Sequence, residues 1–252
     1  MDPSPTVGFA RLPQSGLIEL RARYGDRPGP YLLDSGSMLD VVNSAVHPFE
    51  PGEEVDTTVL YMEGESLAVH TYEAEPFLIG RYAHQPPQVI AVEVPYTASD
   101  GGPMHGLLGH PLFQETPIGI DWGKQTLTFG PVPPALGVRL SLPVEITGEH
   151  ACVLAILDGE PLKLLLETAA PFEVLLHRPD FDPAPFQSDE EAGTRRFTLP
   201  RLAVEGGGLS GVAAVHDPDP KAPADGRIGL GVLSRYNLWI DYPGERVLLM
   251  DR

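Results

Sequence analysis

Tyr31-Leu32-Leu33-Asp34-Ser35-Gly36-Ser37-Met38-Leu39-Asp40-Val41-Val42 is the stretch on which the reading of this chain turns. An apolar run ends on a carboxylate, turns through Ser-Gly-Ser and resumes as Leu39-Asp40-Val41-Val42. Leu32 and Leu33 read as a buried strand. A carboxylate at the end of such a strand is poorly solvated, and it is costly unless hydrogen-bonded. Ser35, Gly36 and Ser37 offer hydroxyls and backbone N–H groups for that purpose, and Gly36 allows close backbone approach.

The pattern recurs. Leu164-Leu165-Leu166-Glu167-Thr168-Ala169-Ala170-Pro171-Phe172-Glu173-Val174-Leu175 again sets an acid after leucines, then a hydroxyl, two small residues and a strand-like run. A polar turn precedes each copy, Gly25-Asp26 in the first and Asp158-Gly159 in the second. A second pair follows. Gly106-Leu107-Leu108-Gly109 and Ile118-Gly119-Ile120-Asp121-Trp122 are answered by Gly226-Arg227-Ile228-Gly229 and Leu238-Trp239-Ile240-Asp241-Tyr242. The offset is constant: 226 − 106, 229 − 109 and 241 − 121 are all 120. Such spacing marks an internal repeat. From acid to glycine the first copy spans 106 − 34 = 72 positions and the second 226 − 167 = 59, so 13 are missing where the first half reads as a hairpin.

An acid loop followed by a Gly-apolar-apolar-Gly strand, twice over, resembles the pepsin and retropepsin superfamily of aspartic peptidases. Asp34-Ser35-Gly36-Ser37 matches its Asp-Thr/Ser-Gly-Ala/Ser signature. The resemblance covers most of the chain and is more specific in the first half. It implies an all-β, two-lobed pepsin/retropepsin-like acid-protease fold with an internal pseudo-twofold repeat, built from one chain. The proline-rich Gly130–Gly137 stretch then joins a lobe of residues 1–133 to a lobe of residues 134–252. Asp34 and Glu167 become the catalytic pair, sharing a proton and holding a water. Ser35, Gly36, Ser37 and Thr168 support the loops. Ser35 bonds across to the other loop, and Ser37 orients the outer carboxylate oxygen. The hairpin over Thr57–Tyr72 becomes the flap, with Tyr61, Met62, Glu63 and Gly64 at its substrate-binding tip. Asp180 to Thr194 reads as a loop, which leaves the flap of the second lobe reduced.

The second loop departs from the family pattern. Glu167 is one methylene longer than aspartate, Ala169 stands in place of glycine, and Ala170 has no side-chain donor. Two functions stay open: an aspartic endopeptidase working through Asp34 and Glu167, and a pseudopeptidase that binds a peptide or protein. A buried, purposeless Glu167 would be costly, which favours the first. A dimer that pairs two Asp34 residues is not needed when one chain carries both loops, so a monomer is expected.

Composition narrows the rest. Of 252 residues 42% are hydrophobic, enough for a sizeable core. Gly 27 and Pro 28 with no long helical periodicity favour short strands and turns. A net charge of −18 argues against nucleic acid or an anionic membrane as partner. No apolar stretch has the length of a membrane span, and Met1-Asp2-Pro3-Ser4-Pro5 lacks a signal-peptide pattern, so a cytoplasmic setting is expected. The single Cys152 reads as core. His105 and His110 lack a third ligand nearby and read as loop-end histidines; Asp217, Asp219 and Asp225 fail the calcium-loop spacing; Gly206–Gly211 reads as a turn. No metal or cofactor is therefore expected, and the expected partner is a peptide or protein substrate. Residues 1–15 read as an irregular arm, and Pro28-Gly29-Pro30 as an extension of the preceding turn.

Overall fold

A computed structural model describes residues 4–50, 52–62, 65–134, 137–148, 150–183, 188–191 and 194–252. The chain is all-β in character, with 55% strand and 4% helix. The N-terminal half holds β1 (Thr6–Arg11), β2 (Ile18–Tyr24), β3 (Arg27–Leu33), β4 (Asp40–Asn43), β5 (Glu54–Met62), β6 (Glu65–Glu73), β7 (Phe77–Ile79), β8 (Tyr82–His84), β9 (Gln88–Val92), β10 (Gly106–Leu108), α1 (His110–Glu115), β11 (Ile118–Asp121) and β12 (Thr126–Phe129). The C-terminal half holds β13 (Val138–Thr147), β14 (His150–Leu157), β15 (Glu160–Glu167), β16 (Val174–Leu176), β17 (Ser188–Glu191), β18 (Thr194–Val204), β19 (Gly207–His216), β20 (Gly226–Gly229), α2 (Leu230–Leu233), β21 (Asn237–Asp241) and β22 (Arg246–Met250).

The halves share one topology. Strands pair in the order β1-β2-β3-β10-β4-β9-β6-β5 in the first. In the second the order is β13-β14-β15-β20-β16-β19-β18-β17. In each, the glycine strand enters between the two strands that flank the acid loop. It runs parallel to the strand before the loop and antiparallel to the strand after it. That insertion is why glycine stands at both its ends. A Cβ on Gly106 would strike the Val41 carbonyl, and one on Gly226 the Leu175 carbonyl. A Cβ on Gly109 would lie 2.6 Å from Leu39 O and 2.8 Å from Ser37 O; on Gly229 it would lie 2.5 Å from Phe172 O and 2.8 Å from Ala170 O. All are backbone atoms of the acid loops or of the strands that follow them, which cannot step aside.

A third, antiparallel sheet joins the halves in the order β1-β12-β11-β21-β22-β13. At its centre Ile118 faces Ile240, Ile120 faces Leu238 and Gly119 faces Trp239. Gly119 and Trp239 are themselves 120 positions apart, so equivalent residues meet on an approximate twofold axis. The Trp239 ring fills the space above Gly119, where a Cβ would lie 2.5 Å from it. Buried side chains of both halves form one connected core.

Three local readings are corrected. Residues 6–11 form β1, which pairs with β12 through Thr6–Gly8 and with β2 through Phe9–Arg11. Pro28 and Pro30 lie inside β3 rather than in a turn. They are two residues apart, so strand alternation sends both missing N–H groups to one edge and the ladder with β2 survives on the other. Ser188–Glu191, read as loop, is a strand paired with the start of β18, so the second half also carries a short hairpin where the first has its long one. Short helices α1 and α2 follow the two glycine strands; at 6 and 4 residues neither is long enough to leave a periodic signature.

Gly109→Ala and Gly229→Ala are each expected to lower unfolding stability by about 3 kcal/mol or fail to fold, since overpacking here meets backbone. Urea unfolding monitored by tryptophan fluorescence checks this; a loss below about 1 kcal/mol for either would refute the close approach.

Candidate active site

Each acid loop is fixed first by its own half. Asp34 N donates to Leu108 O (2.9 Å) and His110 N to Ser37 O (2.8 Å). In the second half Leu230 N donates to Ala170 O (2.8 Å) and Gly231 N to Phe172 O (2.9 Å).

The loops then grip each other. Ser35 Oγ donates to Leu166 O (2.8 Å) and Thr168 Oγ1 to Leu33 O (2.8 Å). Ser35 N donates to Thr168 Oγ1 (2.9 Å) and Thr168 N to Ser35 Oγ (3.1 Å). The four bonds are reciprocal, and both residues are buried, Ser35 at 1% and Thr168 at 0% exposure. Tyr242 adds a fifth link, its hydroxyl donating to Ser35 O at 3.4 Å.

This grip brings Asp34 and Glu167 together. Glu167 lies against Gly36, where a Cβ would stand 3.0 Å from Glu167 Cγ and 3.4 Å from its Cδ. Gly36 N donates to Asp34 Oδ1 (3.0 Å). Burial pushes the Asp34 carboxyl up to about 7, and the Glu167 charge pushes it the same way. The N–H groups of Gly36 and Ser37 and the nearby Arg227 oppose that rise without cancelling it.

Arg227 is the site residue that sequence reading missed. It lies in β20, and its Nη1 donates to Glu167 Oε2 at 3.1 Å. The signal was present: Gly226-Arg227-Ile228-Gly229 breaks the apolar pair that Gly106-Leu107-Leu108-Gly109 keeps. Ser37 differs from expectation in detail. Its hydroxyl donates to Leu39 O (2.8 Å), and its backbone N–H, not its side chain, faces Asp34. Tyr61 and Met62 end β5, opposite Ser66 and Glu65 of β6, while Glu63 and Gly64 lie outside the described residues.

A polar cluster braces the first loop from behind. Asp40, six residues after Asp34, is fully buried; its Oδ1 accepts Gly109 N at 2.6 Å and its Oδ2 pairs with His84 Nε2 at 2.7 Å. His84 Nδ1 in turn meets the Glu115 carboxylate. Burial alone would depress the His84 pKa, but the two carboxylates outweigh it and raise it above 6.5. Glu173, six residues after Glu167, holds the matching place with different partners: Ala213 N (2.6 Å) and Arg235 (2.5 Å).

Other candidates fall away on geometry. Burial pushes the Cys152 thiol up to about 11, which removes it as a nucleophile. His105 packs edge-on against His47 at 5.3 Å, whereas His110 is buried beside Tyr242 at 5.3 Å, so His110 is a core residue rather than a loop-end one. No protein-family model and no curated protein matches this chain.

Ser35→Ala and Thr168→Val are each expected to cost about 1–3 kcal/mol, because each leaves buried groups unpaired. The two side chains each accept the other's backbone N–H, so the double variant is expected to depart from the sum of the singles; a thermodynamic cycle from chemical denaturation checks this. His84→Ala is expected to cost about 3 kcal/mol by stranding the Asp40 charge. The raised His84 pKa makes that contribution full below pH 6.5 and lost as pH rises through the higher folded value. Stability differences measured from pH 5 to 9 should therefore shrink toward the alkaline end.

Proposed function

We propose that this chain is an aspartic endopeptidase of the two-lobed, single-chain pepsin/retropepsin-like type, with Asp34 and Glu167 as its catalytic pair. The observation that carries the reading is the reciprocal Ser35–Thr168 grip, which sets two duplicated acid loops face to face. The matched glycine strands and the shared central sheet support it.

The environments of the two acids divide the work. The Glu167 carboxylate is balanced by Arg227 and acts as the base on a water held between the pair. Asp34, carrying its proton up to about pH 7, hydrogen-bonds the scissile carbonyl. As the water oxygen bonds to the carbonyl carbon, its proton passes to Glu167 and the Asp34 proton to the carbonyl oxygen. On collapse the C–N bond breaks, Glu167 returns its proton to the leaving nitrogen, and the carbonyl re-forms as Asp34 recovers its own. The β5–β6 hairpin belongs to the same sheet as the Asp34 loop and presents the exposed apolar residues Val59 and Leu67, which suits a lid over an extended peptide.

One observation favours the second reading, a peptide-binding pseudopeptidase. The Arg227–Glu167 ion pair ties up the acid that must take a proton from water.

Cleavage of a mixed peptide library by the purified chain decides between them. Peptidase activity is expected to be abolished by Asp34→Asn, a loss of at least about 100-fold. It is expected to fall as pH rises through about 7, where Asp34 loses the shared proton. No cleavage between pH 3 and 8 by the wild-type chain, with peptide binding retained, gives the pseudopeptidase.

A further inference from the structure

The two glycine strands carry one non-glycine residue each at the matched position after the first glycine: Leu107 and Arg227, 120 positions apart. Both are half-buried between buried neighbours. Arg227 reaches the Glu167 carboxylate, so its side chain lies on the side where the acids meet. The matching register position in the first half is Leu107, opposite Leu32 across the parallel ladder and packed in part on the core. The matched positions of the two halves therefore differ: one is a leucine and the other a guanidinium.

That guanidinium is only partly used. Among the described residues Glu167 is its one hydrogen-bond partner, reached through Nη1, and the side chain is 27% exposed. A guanidinium has five N–H donors in a rigid fork suited to carboxylates. In a chain with 35 acidic and 17 basic residues, a cation with spare donors at the centre of the site is a specific feature rather than a surface charge.

Resting on the peptidase reading, we infer that Arg227 sets the substrate class: the preferred peptide carries an acidic side chain on one side of the scissile bond and an apolar one on the other. The acidic side chain takes the free donors of Arg227, and the apolar one packs on Leu107.

The test uses extended peptides identical except for the central pair, Leu-Leu, Leu-Glu, Glu-Leu or Leu-Lys, together with uncleavable reduced-amide versions. One of the two Glu peptides is expected to exceed Leu-Leu in kcat/KM by about tenfold or more, carried by KM, with Leu-Lys poorest. The reduced-amide versions are expected to follow the same order in Kd. Arg227→Leu, which copies Leu107, should erase the preference, and Arg227→Lys should keep part of it. Equal cleavage and equal binding of all four, or a preference that survives Arg227→Leu, overturns the inference while leaving the peptidase reading intact. Arg227-dependent binding of a Glu peptide with no cleavage of any keeps the inference and removes the peptidase. Neither cleavage nor binding of any peptide overturns both.

Discussion

Two buried hydroxyls, exchanging four hydrogen bonds with each other's loops, fix the separation of the acids in this protein. Water is excluded from Ser35 and Thr168, so neither hydroxyl has an alternative partner. Every larger feature serves that grip. The glycine strands thread between the loop flanks and hold them from below. The central sheet keeps the halves in register across the axis. Tyr242, from the C-terminal half, reaches the Ser35 carbonyl of the N-terminal half, so sheet and loop are tied together as well.

Symmetry of backbone frames an asymmetry of charge. The two acids are one methylene apart in length, and the longer one lies against the glycine of the opposite loop. A side chain at position 36 would crowd Glu167, whereas the second loop carries Ala169 at the matching position. The supports behind the loops differ too. Asp40 leans on the Gly109 N–H and on His84, itself held by Glu115, and Glu173 on Arg235 and the Ala213 N–H. Shared architecture thus yields two acids in unlike surroundings, as the proposed general acid–base work requires.

The repeat was legible in the sequence because it is written in residue types that backbone geometry forces. Gly106, Gly109, Gly226 and Gly229 sit where a Cβ meets main chain, and hydroxyls stand at 35 and 168 where the loops must bond across. What escaped reading depends on long-range pairing. β1 looks irregular by itself, because its partners, β12 and β2, lie in two different sheets. The prolines of β3 read as a turn because the edge that tolerates them exists only in the folded sheet. His84 stands 44 residues from Asp40, and nothing local announces the bond. Arg227 alone left a visible trace, as the break in an otherwise repeated apolar pair.

The Gly119–Trp239 contact on the axis carries a consequence for ancestry and assembly. Two copies of the first half meeting in this register would put glycine against glycine and leave a void the size of an indole. Two copies of the second half would force two indoles into one space. Neither half can stand in for the other any longer. At this position the two halves are complementary to each other and not to copies of themselves.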